Sequence, residues 1–200
     1  MPGNRPVIIY ISAASDLMVE RETLARMIAR LPVTLAWQIV QSPLEGEMLD
    51  LDALQGADLH LLLMGMDIRA PIGLEWGMAV YAGRQTIAFL KTNVARTMAG
   101  QSFVRETGVG WKPFSGPADL NRQAQQALID HLLTYDSHYA LTPVEVEQLQ
   151  TLKAEEASPT QTDPAGLEAG RSAVILSRER YEPSEGILIG DADEETEPGV

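Results

Sequence analysis

"ADLHLLLMGMDIRAPIGLEWGMAVYAGRQTIAFLK", residues 57–91, decides the fold. Its first part, "LHLLLM", has no periodicity except apolarity, as does "TIAFL" near its end. Strands covered on both faces read as continuous apolar runs, whereas a half-exposed strand alternates. Between the two runs lies "PIGLEWGMAVYAG", with Pro71 near its start and Gly83 just past its end, the usual punctuation of a helix. Strand, helix, strand in so short a span means two parallel strands joined by a crossover helix.

The same alternation extends outward. "PVIIYIS" at 6–12 is a short β-branched run, and the next segment places Leu17, Leu24, Ile28 and Leu31 on one helical face before Pro32 stops it. "TLAWQIV" at 34–40 reads as a strand and "EGEMLDLDALQG" as a short acidic helix ended by Gly56. Downstream, "VGWKPF" suits a fifth, edge strand, and "PADLNRQAQQALIDHLLTYD" a helix with Leu120, Ala124, Leu128, His131 and Tyr135 along one stripe. In "LTPVEV", Thr142 is the N-cap, Pro143 the first helical residue, Glu145 completes a capping box, and Leu141 staples against Val146. A helix from about 143 to 156 follows. The pattern predicts an α/β fold, a flavodoxin-like doubly wound parallel sheet of about five strands with extra C-terminal helices and an acidic tail.

A chain of 200 residues with 45% hydrophobic and 22% charged residues accommodates one buried core plus an appendage. The predicted division is a domain over 1–156 and a tail over 157–200. After Arg180 no Lys or Arg occurs, while Glu182, Glu185, Asp191, Asp193, Glu194, Glu195 and Glu197 do. Such a segment buries too little apolar area to offset chain entropy, although "AVIL" at 173–176 and "GILIG" at 186–190 could pair as short strands. The net charge of −13 argues against a nucleic-acid binder, which needs a basic surface to displace counterions. No membrane-length apolar run, no cysteine and no signal-peptide pattern are found, so a cytoplasmic location and no membrane partner are expected. His60 lies in a strand, and His131 and His138 have no partner at ligand spacing, so no metal site is expected.

In doubly wound sheets ligands sit beyond the carboxyl ends of the strands. That selects "SAASD", Ser12 to Asp16, and "GMDIRAPIGLEW", Gly65 to Trp76. Glu75 falls in the first helical turn, where the helix dipole favours its ionised form. A carboxylate held there can act as a nucleophile or stabilise a developing cation. Asp67 and Arg69 share its loop, and a guanidinium suits a phosphate or carboxylate on a ligand. Trp76 reads as packing or as a stacking surface for a base. Asp16, Glu20 and Arg21 also fit a plainer description, first-turn acids with an exposed helix pair.

"VIIYISAASDLMVERETLARMI" resembles the opening of a family of TIR-like domains, in which a strand ends in serine and small residues and leads through Asp-Leu and Glu-Arg into the first helix. "LDALQGADLHLLLMG" and "APIGLEWGMAVYAGRQTIAFL" are similar to the second half of that family and to nucleoside 2-deoxyribosyltransferases. The resemblance spans roughly residues 6–91. It implies cleavage of an N-glycosidic bond, with the glutamate on the helix after the third strand falling on Glu75. Ser12 and Asp16 then occupy the ligand-facing first loop, and Asp50 or Asp52 loosely matches the helical aspartate of the transferases. Before the glutamate the transferases carry Gly-Thr where this chain has Pro71-Ile72-Gly73-Leu74. The implied function is a nucleotide N-glycosidase of signalling or defence, an NAD hydrolase or a relative. NAD or a related nucleotide is then the substrate and no cofactor is needed. The alternatives are a TIR-like protein-interaction and self-assembly module, for which the tail is a docking segment, and a deoxyribosyltransferase-like enzyme.

Overall fold

The computed structural model describes residues 5–43, 47–69 and 71–157. The predicted tail and its two short strands lie outside the described residues, apart from residue 157. In chain order the elements are β1 (Val7–Ala13), a 3-10 turn (Ser15–Leu17), α1 (Met18–Ile28), β2 (Trp37–Gln41), α2 (Leu51–Gly56), β3 (Leu59–Met64), α3 (Ile72–Tyr81) and β4 (Thr86–Lys91). They continue with α4 (Met98–Glu106), β5 (Trp111–Phe114), α5 (Pro117–Thr134), α6 (Asp136–Tyr139) and α7 (Pro143–Ala157). The sheet has the order β2-β1-β3-β4-β5 and every pairing is parallel. It is the flavodoxin-like doubly wound arrangement expected from the alternation.

The central strands are predominantly apolar because helices cover both faces. Ile9, Ile11, Ala13, Leu61, Leu63 and Phe89 pack with Leu24 and Ile28 of α1 and with Leu120, Ala124 and Leu128 of α5. On the other face Tyr10 packs with Leu54 and Ala79, and Leu62 and Ala88 pack with Ile72, Trp76 and Phe103. Side chains alternate across a strand, so Ser12 and His60 share that second face with Tyr10 and Leu62. Pro113, which lacks a backbone donor, is tolerated because β5 is an edge strand.

Local differences from the sequence reading have local causes. β2 begins at Trp37, three residues later than the apolar run, because only from Val7↔Trp37 onward does it register with β1. The acidic helix shortens to Leu51–Gly56, its start set by the Asp50 carboxylate accepting from the Ala53 amide at 2.8 Å. Tyr135 lies past the end of α5 and is 42% exposed, outside the buried stripe. The capping box forms as predicted. Thr142 N donates to Glu145 Oε2 at 2.7 Å and Glu145 N to Thr142 Oγ1 at 3.3 Å. Glu145 also accepts from the Thr34 amide at 2.5 Å and hydroxyl at 2.8 Å, tying α7 to the segment that leads into β2.

Candidate functional site

The sheet order reverses between β1 and β3, so the loops leaving these strands meet at the switch point. Asp16 joins them, its Oδ2 accepting from the Met66 amide at 3.1 Å. A Cβ on Gly65 would lie 2.4 Å from that oxygen, so glycine allows the two loops to close on each other. In the second loop Asp67 accepts from the Ile68 amide and the Thr97 hydroxyl and faces Arg69 at 3.4 Å. The Thr97 hydrogen bond, ahead of the Ile68 amide and the Arg69 charge, holds the Asp67 carboxyl below its ordinary range. The Arg69 side chain itself is 73% exposed.

Beneath this rim, the first turn of α3 points Glu75 at the sheet, and the residue is fully buried. Tyr10 Oη donates to Glu75 Oε1 at 2.8 Å and Ser42 Oγ donates to Oε2 at 2.7 Å. The Ser42 hydroxyl also accepts from the Ala13 amide at 3.1 Å, and its other acceptor, the Ile11 carbonyl, lies at 3.4 Å, farther than the carboxylate. Burial, then the Glu75 charge and its hydrogen bond, raise the Tyr10 pKa well above the ordinary phenol value, so Tyr10 remains a neutral donor. Both carboxylate oxygens are therefore oriented by hydroxyls from two different strand regions.

A second buried line runs beside the first. His60 Nε2 lies 2.8 Å from Ser12 Oγ, and Nδ1 lies 3.1 Å from Thr86 Oγ1. Burial lowers the His60 pKa to about 4, so the ring is neutral at physiological pH. The Tyr10 and His60 rings are 6.3 Å apart. The sheet face under α3 thus carries Tyr10, Ser12, Ser42, His60 and Thr86 opposite Glu75 of the helix, in contrast to the apolar face under α1 and α5.

No family model, curated protein or solved structure matches this chain. The site therefore rests on its own geometry. Of the residues singled out from the sequence, Asp16, Asp67 and Arg69 gather at the rim, and Glu75 and Ser12 lie below it in separate hydrogen-bonded groups. Among the described residues no hydrogen bond or ion pair joins Glu75 to Asp16, Asp67 or Arg69. Trp76 is half-buried and packs edge-on against Phe103, with ring centroids 6.4 Å apart. The expectation of an exposed Glu20–Arg21 pair is not met. Both residues are buried, Glu20 bonding Lys91 at the end of β4 at 2.7 Å and Arg21 donating to the Ser42 carbonyl at 2.8 Å. Arg21 thereby steadies the residue that holds Glu75.

Sequence reasoning missed Tyr10, Ser42 and Thr86 as partners. The available signal was a hydroxyl-bearing residue inside an apolar strand, Tyr10 in "VIIYIS". Ser42 gave no comparable signal, because its role depends on the register of β1 against β2.

Proposed function

We propose that the polar group beneath α3 is the active centre of a nucleotide N-glycosidase, with Glu75 as the carboxylate and NAD or a related nucleotide as substrate. The observation that supports this reading most is the grip of Tyr10 and Ser42 on the two oxygens of Glu75. Buried polar groups cost free energy even when paired, and an apolar face would have built the same layer more cheaply. A preoriented carboxylate is what the chemistry needs. Breaking the ribose–base bond places positive charge on the sugar, and a fixed negative group lowers that barrier or captures the sugar covalently. Nicotinamide leaves NAD from a cationic state and requires no protonation, which fits a centre whose histidine is neutral.

Catalysis requires Glu75 to meet a substrate, yet it has no exposed surface in this conformation. That closure is the observation favouring a second reading, in which the network is structural and the domain is an assembly module. Nicotinamide release from NAD by the purified chain separates the two. The glycosidase reading expects release that falls roughly 100-fold or more in Glu75→Gln and Glu75→Ala, with circular dichroism unchanged. No release from NAD, nucleosides or deoxynucleosides would end it in favour of the module.

A further inference from the structure

On the side of the sheet away from Glu75, α1, α5 and α7 border a cleft of about 390 Å³. Pockets that take small organic ligands run from roughly 300 to 1,000 Å³. The apolar lining is Met27 of α1, Leu31 just beyond it and Leu152 of α7. The polar lining includes Arg26 and Arg30, four residues apart along the end of α1, and Asn121 and Gln125, one turn apart on α5. Among the described residues no aspartate or glutamate lines it.

Folding accounts for little of this polar set. The helix dipole favours a cation near the C-terminus of α1, but a second one four residues on repels the first. Arg26 is partly engaged, its Nε donating to the Glu22 carbonyl at 3.3 Å and a guanidinium nitrogen lying 3.7 Å from the Glu22 carboxylate. Among the described residues the side chains of Arg30, Asn121 and Gln125 make no hydrogen bond or ion pair. Three polar groups from two neighbouring helices thus converge on one cleft with their bonding capacity unused.

Charge identifies the occupant. Two guanidinium forks beside two amides match the oxygens of a carboxylate or phosphate. Glu147 and Glu155 line a neighbouring cleft that shares Leu152, so an anion is favoured on the arginine side and repelled on the other. A bare inorganic ion would leave the Met27, Leu31 and Leu152 surface uncovered, so the anionic group that fits is carried on an apolar body.

We propose that this cleft binds a small organic oxyanion, a carboxylate or phosphate monoester with an apolar body, held by Arg26 and Arg30. The site shares no residue with the Glu75 group, so it stands whether or not Glu75 is catalytic. Fluorescence titration of the full chain with anilinonaphthalene sulfonate, whose sulfonate stands in for the oxyanion, tests it. Saturable one-to-one binding in the micromolar range is expected, with uncharged phenylnaphthylamine bound roughly 10-fold more weakly or worse. Arg30→Gln, at an exposed side chain without a partner, should weaken the sulfonate roughly 10-fold or more with the melting transition unchanged, and Arg26→Gln should act in the same direction. Arg105→Gln on α4, 74% exposed, should leave the affinity as it is. Hexyl phosphate and hexanoate should displace the probe, and the one effective at lower concentration identifies the headgroup. The proposal is overturned by the absence of saturable binding, by equal binding of the uncharged analogue, or by an affinity unaltered in both cleft variants. Failure of both small anions to displace the probe also overturns it, and an acidic peptide succeeding in their place would make the cleft a protein-docking surface instead.

Discussion

Tyr10 and Glu75 depend on each other. The phenol is fully buried, and deleting its hydroxyl leaves the buried Glu75 Oε1 without that donor. Tyr10→Phe is therefore expected to destabilise the fold by about 1–3 kcal/mol, the cost of an unsatisfied buried acceptor. Ser42→Ala should behave alike, and the double variant should cost a different amount from the sum, because both hydroxyls serve one carboxylate. Urea unfolding of the three variants measures this. Equal, additive and negligible effects would mean that the two bonds do not form in solution. This part of the site was least legible in the sequence. Glu75 announced itself by its place in a helical first turn, but its partners lie 65 and 33 residues away. Only the parallel register of β1 with β2 and β3 assembles them.

At the scale of elements, local chemistry was readable wherever a signal and its effect lay within one turn. The capping box at Thr142 and the crossover helix between Pro71 and Gly83 are such cases. The burial of Glu20 and Arg21 was not readable. Their partners, Lys91 and the Ser42 carbonyl, come from the ends of strands elsewhere in the chain, so their place early in a helix alone suggested exposed residues. The clamp between the loops after β1 and β3 offers a test at this scale. Gly65→Ala forces the Asp16 carboxylate off the Met66 amide, and a loss on the order of 1 kcal/mol is expected. In an Asp16→Ala background the same substitution should cost less, since only the contact with Leu17 Cδ2, 3.3 Å away, remains. Thermal melts of the four proteins complete that cycle. A full cost retained without Asp16 would show that another contact excludes the methyl group.

For the whole molecule, His60 and Glu145 are among the groups that set acid stability, in successive windows. His60 titrates at about 4 in the fold against about 6.5 in an unfolded chain. The unfolded state binds the extra proton, so the His60 contribution is complete above pH 6.5 and is lost as pH falls toward about 4. Glu145 is held down to about 2, first by the Thr34 amide and then by the Thr142 amide. Its contribution is complete above the unfolded carboxyl value and is lost as pH falls from there toward about 2. Urea midpoints against pH should show both limbs. His60→Gln should make the upper limb shallower, with burial of His131 leaving a remainder, and Glu145→Gln the lower, with Asp119 leaving a remainder; a wild-type profile flat from pH 7 to 4 would exclude the first. The doubly wound order was legible from apolar runs because every central strand is sandwiched between helices. The polarity difference between the two sheet faces was not, since strands buried on both sides do not reveal which side holds which neighbour. In α3 that difference has a further effect. One ten-residue helix presents Glu75 to the sheet and an uncharged stripe to the outside, so the carboxylate is closed off as long as the helix stays packed. A ligand that reaches Glu75 must select a conformation in which it is uncovered, and its apparent affinity falls by the fraction of molecules in that conformation. Substitutions that open that conformation more often would then tighten binding without touching the ligand.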